Sequence, residues 1–183
     1  MDYAISNWVL NTFGDSKFFA VTSSIVTHLG GWIAITLILV AMIAFKKTRK
    51  VGLCCTAAVL LSLLLNNAIL KNIVQRTRPF QDHPEMTKIC ELAKYALPTD
   101  FSMASGHASA TMAVAVSVFM YSKKWGGVAL GASVVIGLTR VALLVHYMTD
   151  VLVGWCIGCA VAILAYYVIK IIDKKLELKR GKI

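Results

Sequence analysis

Residues 51–70 read VGLCCTAAVLLSLLLNNAIL, a run of twenty residues without a charge. A helix needs about 20 mostly apolar residues to cross a hydrocarbon core about 30 Å thick, so this stretch is long enough to span a membrane. Similar apolar runs flank it, and together they predict five spans, at approximately residues 18–45, 51–70, 105–121, 125–145 and 151–168. The pattern therefore predicts an all-α fold, a polytopic membrane helix bundle with about five transmembrane helices.

The composition agrees with this membrane class. The 183 residues leave room for a single domain, 1–183, and the apolar content of 58% and the mean hydropathy of +0.71 far exceed those of ordinary soluble chains. Ahead of the first span, Ile5, Trp8, Val9 and Phe13 fall near one helical face, which indicates a short N-terminal helix lying in the membrane interface. The start of the chain lacks a basic stretch, so no signal peptide is expected.

The net charge of +10 raises the question of nucleic-acid binding, and the distribution of the charge answers it. Twelve of the 19 basic residues follow the first span, the third span or the last span: Lys46, Lys47, Arg49, Lys50, Lys123, Lys124, Lys170, Lys174, Lys175, Lys179, Arg180 and Lys182. The positive-inside rule makes that side cytoplasmic, with the C-terminus inside and both the N-terminus and residues 71–104 outside. The basic residues therefore indicate topology, and no nucleic-acid partner is expected.

The five cysteines predict no disulfide framework. Cys54, Cys55, Cys156 and Cys159 lie within predicted spans, and only Cys90 lies in the outer segment. The Cys-x-x-Cys spacing of the last pair would fit redox chemistry or half a zinc site. The neighbouring small residues favour a helix-packing face instead.

Charges at membrane depth are costly, so the remaining polar clusters are functional candidates, and the first is Lys71 with Arg78. The two residues are seven apart, two turns of helix, so both cations point the same way if the helix persists; Pro79 limits its length. The alternative is that both are anchors whose charged ends reach the lipid head groups.

The second cluster lies where the outer loop turns into the third span. Ser105 and Gly106 stand at a predicted helix start, where free backbone N–H groups and the helix dipole favour an anion such as phosphate. His107 follows within the first turn and could reach the same anion. A serine cap beside an ordinary interfacial histidine is the alternative.

The third cluster joins the fourth and fifth spans. His146 and Asp150 are four apart, so the carboxylate can accept from one imidazole nitrogen while the other faces a substrate. Arg140 adds a fork of donors suited to phosphate oxygens. A structural i,i+4 pair and two ligands of a metal are the alternatives. The other outer acids are too scattered to complete a metal site: Asp82, Glu85, Glu91 and Asp100.

Three stretches of this sequence resemble, in the same order, the three motifs of the type 2 phosphatidic acid phosphatase superfamily. They are Lys71-x6-Arg78-Pro79, Ser105-Gly106-His107 and Arg140-x5-His146-x3-Asp150. That family includes membrane lipid phosphatases, bacterial undecaprenyl-diphosphate phosphatases and glucose-6-phosphatase, and shares its site with vanadium haloperoxidases. Two positions depart from its pattern, because Ala104 replaces the proline of the second motif and Thr139 the serine of the third. Neither change removes a group that does chemistry, so an active enzyme is expected.

The resemblance implies a hydrolase that needs neither metal nor cofactor. His146 would attack phosphorus and form a phosphohistidine, with Asp150 orienting it, and His107 would act as general acid for the leaving group. The phosphate would be bound by three cations and the helix start: Lys71, Arg78, Arg140, Ser105 and the N–H of Gly106. Three cations can neutralise the charge that Mg²⁺ neutralises in other phosphoryl-transfer enzymes.

Residues 75–104 form the longest polar stretch and are interpreted as an outer active-site loop. Pro84 and Glu85 can start a short helix whose apolar face is Met86, Ile89, Cys90 and Ala93. This segment would lie on the outer leaflet and edge the site; the alternative is a plain connector.

A site at the outer interface above apolar helices favours a substrate whose phosphate lies among the head groups and whose tail stays in lipid. Undecaprenyl diphosphate is the first choice, by analogy, with phosphatidylglycerol phosphate or phosphatidic acid as the alternative. A small transporter would need a polar path to the cytoplasmic side, where the spans are nearly all apolar; Asn66 and Asn67 are the exceptions, and helix packing explains them. A haloperoxidase is disfavoured because those relatives are soluble. No feature of the sequence predicts an oligomeric state.

Overall fold

A computed structural model describes residues 1–180, and within that range every regular element is a helix. In chain order the α-helices are α1 Asp2–Phe13, α2 Lys17–Leu29, α3 Trp32–Ala44, α4 Arg49–Leu63, α5 Lys71–Val74, α6 Pro79–Asp82, α7 Thr87–Ala93, α8 Gly106–Tyr121, α9 Lys123–Ala142 and α10 Met148–Arg180. A π-helical segment, Leu64–Leu70, joins α4 to α5, and a 3₁₀ turn, Pro84–Met86, precedes α7. The predicted all-α fold is confirmed.

Four helical segments are long and apolar enough to cross a membrane: Lys17–Ala44, Arg49–Asp82, Lys123–Ala142 and Met148–Leu178. The remaining predicted span, residues 105–121, is the shorter apolar helix α8, whose 16 residues extend only about 24 Å. Helix α8 packs against α4, α9 and α10 and so lies inside the bundle. The chain is therefore a multi-pass, membrane-embedded protein with five apolar segments.

The first predicted span, residues 18–45, is confirmed as an apolar segment long enough to cross a membrane, but its helix is interrupted. The structure divides it into α2 and α3 at Gly30 and Gly31. Gly30 approaches α9 so closely that a Cβ added to it would lie 2.4 Å from Cγ2 of Ile136. The break places Trp32 at the start of α3, where its indole lines the cavity described below.

The polar pair before Lys71 lies in the π-helical segment. Asn66 is buried and donates a hydrogen bond of 2.5 Å from Nδ2 to Oγ of Ser109, which confirms a packing role. Asn67 is exposed and lines the cavity, so packing does not account for it. The wider π turn, of a kind often found at functional sites, changes the face on which the following Lys71 is presented.

Helices α8 and α10 approach each other at two glycines. A Cβ added at Gly154 would lie 2.8 Å from the carbonyl oxygen of Ser105, and one at Gly158 would lie 2.5 Å from that of Ser109. Small residues allow the backbones of membrane helices to pack this closely. The start of α8 and the first turns of α10 are thereby held as one unit.

An apolar core joins α1, α2, α6, α7 and the segment between α9 and α10. Its buried residues are Val9, Ala20, Phe80, Met86, Ile89, Cys90, Leu143, Leu144 and Val145. The short helix predicted after Pro84 is confirmed, with its apolar face turned into this core. The N-terminal helix is confirmed as α1, but its predicted face is only partly buried. Val9 is buried beside Ser6, whereas Trp8 remains 60% exposed.

The basic clusters gather at the end of the bundle away from the start of α8. Lys50 pairs with Asp173 at 3.0 Å, and the rings of Tyr121 and Tyr166 lie 5.3 Å apart. These contacts bring the start of α4, the end of α8 and the late turns of α10 to one level. The side chains of Lys179 and Arg180, and all of Lys182, lie outside the described residues.

Candidate active site

A cavity of about 260 Å³ opens where α3, α5, α8 and α9 meet the loops. Eleven residues line it: Trp32, Asn67, Lys71, Arg78, Tyr95, Pro98, Asp100, Gly106, His107, Arg140 and His146. Six of the eight predicted site residues are among them. The other two, Ser105 and Asp150, lie behind the wall and contact residues that form it.

His146 comes from the short segment between α9 and α10 and is almost fully buried. Its Nε2 lies 3.3 Å from Nη1 of Arg78. A guanidinium can only donate, so Nε2 carries the lone pair and the ring proton is on Nδ1. Burial lowers the pKa of the His146 imidazole; Asp150 opposes this, and the charges of Arg78 and Arg140 reinforce it. Both the lowered pKa and the position of Arg78 favour a neutral imidazole whose Nε2 lies beside the cavity.

Asp150 lies behind this imidazole and is fully buried. Its Oδ2 accepts hydrogen bonds from Oγ of Ser102 at 2.5 Å and from the backbone N–H of Tyr147 at 2.9 Å. Nδ1 of His146 is 3.6 Å from Oδ2 and 3.4 Å from Oγ of Ser102. The predicted orienting carboxylate is therefore adjacent to the ring, and Ser102 bridges the two.

Lys71 and Arg78 meet at one acid, although the helix does not persist between them. Helix α5 ends at Val74, Gln75 adopts a left-handed conformation with φ 47°, and Arg78 is extended. The two residues are therefore not two helical turns apart, because the helix already ends at Gln75, whose left-handed conformation redirects the chain before Arg78 is reached. Both cations are brought together instead by the carboxylate of Asp100.

Asp100 binds Lys71 through Oδ2 and Nη2 of Arg78 through Oδ1 at 2.6 Å. Arg78 is further fixed by carbonyl oxygens, with Nε at 2.7 Å from that of Asp100 and Nη1 at 2.6 Å from that of Val145. Burial raises the pKa of Asp100, but the hydrogen bond and charge of Lys71, together with Arg78, outweigh it and lower the pKa to about 2. The acid is therefore charged throughout the physiological range.

Arg140, the third cation, lies in the last turn of α9 and is buried. Its Nη1 donates to Oγ1 of Thr27 at 2.9 Å and to the hydroxyl of Tyr95 at 2.7 Å. Its Nε is buried without a hydrogen-bond partner. Arg140 also lines the cavity, and a permanently charged guanidinium with five donors suits an anion there.

Helix α8 begins at Gly106, as predicted, with Ser105 as its N-cap. Oγ of Ser105 accepts a long hydrogen bond of 3.5 Å from the N–H of Ala108, and its backbone N–H donates to the carbonyl oxygen of Asp150 at 3.0 Å. Gly106 and His107 face the cavity, where the first amide groups of the helix have no intrahelical acceptor. The serine supports the anion site by capping the helix, and its side chain does not line the cavity.

Five residues that had no predicted role at the site line it or contact its residues: Asn67, Arg76, Tyr95, Asp100 and Ser102. Asp100 had been counted among the scattered acids, yet three clustered cations call for a counter-ion, and it is the acid just ahead of Ser105. Arg76 is two residues from Arg78 within a recognised motif. Tyr95 and Ser102 carry no such signal, because only the tertiary fold brings them to the site.

These features define a multi-pass membrane protein with a cavity lined by cations and histidines. The chain belongs to the PAP2 superfamily, whose sequence profile matches residues 51–173. The resemblance inferred from the three motifs is confirmed.

Similar proteins are known from bacteria and archaea. An undecaprenyl-diphosphatase of Sulfolobus acidocaldarius is 32% identical over 136 residues, which make up 73% of this chain and 61% of the archaeal protein. The chain thus covers less than two thirds of that protein's length. A decaprenylphosphoryl-5-phosphoribose phosphatase of Mycobacterium tuberculosis is 29% identical over 136 residues, 73% of this chain and 69% of its own.

Two solved structures share the fold. The transmembrane PAP2-type phosphatidylglycerolphosphate phosphatase of Bacillus subtilis superposes with a TM-score of 0.69 at 26% identity, over 95% of this chain and 85% of its own. LpxE of Aquifex aeolicus superposes with a TM-score of 0.72 at 19% identity, over 91% and 94% of the two chains. The agreement extends the match beyond the residues of the family profile.

Proposed function

We propose that the chain is a membrane lipid phosphatase that acts through a phosphohistidine on His146, with undecaprenyl diphosphate as its substrate. The observation that carries the proposal is the position of His146, whose Nε2 lies 3.3 Å from Nη1 of Arg78 beside a cavity lined by Lys71, Arg78 and Arg140. A nucleophile next to three cations is the arrangement that transfer of a charged phosphoryl group requires. The family membership and the names of the relatives support the same class of reaction.

The first chemical step follows from these positions. Nε2 of His146 attacks the terminal phosphorus, the bond from phosphorus to the leaving oxygen breaks, and His107 donates a proton to that oxygen. The ring keeps its proton on Nδ1 and becomes a cation, which the buried carboxylate of Asp150 stabilises. The three cations and the amide groups at the start of α8 hold the non-bridging oxygens.

The second step releases the phosphate. Water attacks the phosphohistidine, His107 takes a proton from that water, and the bond between phosphorus and Nε2 breaks. Inorganic phosphate leaves, and the imidazole of His146 returns to its neutral form. All charge neutralisation in both steps comes from side chains of this chain, so we expect no metal requirement.

An apolar groove beside the site supports a lipid substrate. It has a volume of about 720 Å³ and is lined by α2, α3, α8 and α9. Thr111 and Ile136, which line the groove, lie one helical turn from His107 and Arg140, respectively. A lipid whose phosphate occupies the cavity could lay its tail in this groove.

The nucleophile can be tested by trapping. Purified protein in detergent is mixed with a lipid diphosphate labelled in its terminal phosphate and is then quenched in base, where phosphohistidine is stable. We expect labelled wild-type protein and none for His146→Ala, whose turnover should be abolished. His83→Ala, in the outer loop and paired with Glu85, is the matched control. A His146→Ala protein with a tenth of the wild-type rate would exclude this residue as nucleophile.

The metal-free mechanism has its own test. Activity in EDTA should equal that in buffer, and a complete loss that zinc or magnesium restores would contradict it.

The substrate is tested by comparing kcat/KM for undecaprenyl diphosphate, phosphatidylglycerol phosphate, phosphatidic acid and a lipid A analogue. We expect the highest value for undecaprenyl diphosphate; phosphatidylglycerol phosphate is the second candidate because of the Bacillus relative.

The proposal places the site on the outer face of the cell membrane and the C-terminus in the cytoplasm, because the basic clusters lie at the other end of the bundle. Residues 75–104 would then be an outer active-site loop. A cysteine introduced at Lys88 should react with a membrane-impermeant thiol reagent in intact cells, whereas one at Lys124 should react only after permeabilisation. The reverse pattern would overturn this orientation.

A further inference from the structure

Arg76 connects the first helix of the chain to Asp150. Its Nη1 donates to Oδ1 of Asp150 at 2.7 Å and to Oγ1 of Thr149 at 2.6 Å, and its Nη2 donates to Oδ2 of Asp2 at 2.7 Å. The guanidinium also stacks over the ring of Tyr147, 4.2 Å from its centroid. Neither Arg76 nor Asp2 lines the cavity.

Asp2 fixes the other end of this connection. Its Oδ1 accepts from the backbone N–H of Thr149 at 3.2 Å, and its Oδ2 accepts from Oγ1 of Thr149 at 2.5 Å as well as from Arg76. The Asp2 side chain is 15% exposed. Helix α1 therefore reaches the first turn of α10 through a carboxylate with three hydrogen bonds.

The arrangement controls the carboxylate next to His146. Ser102 and the backbone of Tyr147 occupy Oδ2 of Asp150, and Arg76 alone among the described side chains holds Oδ1. Without the guanidinium, two carboxylates of like charge would remain close together, one of them fully buried. Such a pair is strongly disfavoured, so Asp150 would change its charge or its orientation.

We propose that Arg76 and Asp2 are positioning residues for the reaction, and that they act on His146 through Asp150. The inference rests on the proposed function, because it takes His146 as the nucleophile. Helix α1 then contributes to the chemical step and is more than an interfacial anchor. Since neither residue touches the cavity, their loss should reduce kcat and leave KM nearly unchanged.

The test measures kcat, KM and thermal unfolding in detergent for Arg76→Gln, Arg76→Lys, Asp2→Asn and the double variant. We expect Arg76→Gln to lower kcat about 10- to 100-fold, by analogy with the loss of carboxylates that orient metal-binding histidines. Asp2→Asn should lower it less. Arg76→Lys should recover part of the loss, because lysine restores the charge and lacks the fork that bridges two acids.

The double variant separates a shared pathway from two independent effects. If Asp2 acts through Arg76, adding Asp2→Asn to Arg76→Gln should lower kcat no further. The matched control is Asp15→Asn, which removes a carboxylate just beyond the other end of α1, where it pairs with Lys88 at the surface. This control should have wild-type kcat.

Three outcomes would overturn the inference: unchanged kcat in both Arg76→Gln and Asp2→Asn, an increased KM at constant kcat, or a loss of activity that only follows the unfolded fraction. In each of them His146→Ala would still be inactive and wild-type protein would still form the phosphoenzyme. Failure of the proposed function itself is distinguishable, since wild-type protein would then form no phosphoenzyme.

Discussion

Oδ1 of Asp100 and Nη2 of Arg78 lie 2.6 Å apart, and through the same carboxylate the arginine is linked to Lys71. One acid thus neutralises two of the three cations that line the cavity. The Asp100 side chain is 55% exposed and lies in the loop between α7 and α8, from which it can turn into solvent. Asp100 occupies the place on these cations that phosphate oxygens would take.

Replacing Asp100 with asparagine should strengthen phosphate binding. The substitution keeps the shape of the side chain and removes the charge that competes with the substrate for Lys71 and Arg78. We expect KM to fall about fivefold, which corresponds to about 1 kcal/mol, and inhibition by inorganic phosphate to strengthen by a similar factor. Glu85→Gln, an exposed acid of the same loop outside the cavity, should leave both values unchanged. A higher KM would show that Asp100 instead holds the cations in place.

The ion pairs of Asp100 with Lys71 and Arg78 should make the stability of the protein depend on pH. Folding lowers the pKa of Asp100 from its ordinary 3.8 to about 2, so its contribution is fully present above pH 3.8 and is lost as the pH falls towards 2. Over this interval the Tm of the wild type in detergent should fall more steeply than that of Asp100→Asn. Parallel curves for the two proteins would contradict the assignment.

A methyl group at Gly106 should impair binding without affecting the fold. A Cβ there would meet only Cζ2 of Trp32, at 3.9 Å, an ordinary contact. Because both residues line the cavity, the methyl group would enter the space beside the first amide groups of α8. We expect Gly106→Ala to raise KM about 10-fold (about 1.4 kcal/mol) with an unchanged Tm. An unchanged KM would mean that phosphate does not approach this helix start.

The close contact of α8 and α10 predicts a large effect of a small substitution. At Gly158 a Cβ would lie 2.5 Å from the carbonyl oxygen of Ser109, and the two backbones cannot both keep their positions. Gly158→Ala should lower the free energy of unfolding by about 1–3 kcal/mol, as overpacking does. At Gly131 a Cβ meets nothing within 4 Å, so Gly131→Ala should be neutral or stabilising. Equal unfolding temperatures for the two variants would contradict this packing.

Tyr95 tests whether the loop of residues 75–104 takes part in binding the substrate. Its hydroxyl accepts a hydrogen bond of 2.7 Å from Nη1 of the buried Arg140. Tyr95→Phe would remove this acceptor and leave Oγ1 of Thr27 as the one remaining partner of that Nη1 among the described residues. We expect KM to rise about threefold to tenfold, since a hydrogen bond to a charged group contributes about 1.5 kcal/mol or somewhat less at a half-exposed site. Tyr167→Phe, exposed in the far half of α10, is the control. Equal KM values for Tyr95→Phe and Tyr167→Phe would indicate that the loop is only a connector.

The sequence predicted the elements that depend on local composition. The five apolar segments follow from the length of uncharged chain that a membrane requires, and the start of α8 follows from a serine placed before a glycine. His146 and Arg140 were recognised because a charged or titratable group at membrane depth needs a reason to be there. These inferences rest only on residues close in sequence and on the physical properties of the lipid bilayer.

The features that were not predicted, or were predicted wrongly, depend on residues that are far apart in the chain. Arg76 finds Asp2 and Asp150, each 74 positions away in the chain, and no spacing rule connects such residues. The break at Gly30 follows from the shape of α9 opposite to it. The course of the chain from Lys71 to Arg78 depends on a left-handed turn at Gln75, a residue type that gives no signal for this conformation.

The apolar groove is assembled from two different parts of the chain. Its α8 and α9 walls lie inside the family match of residues 51–173, whereas its α2 and α3 walls, residues 26–38, come before the match begins. The residues that line the cavity come almost entirely from the matched part, with Trp32 as the exception. If a lipid tail occupies the groove as proposed, substitutions in α2 and α3 would change the fit of its length and branching without altering the residues that hold the phosphate.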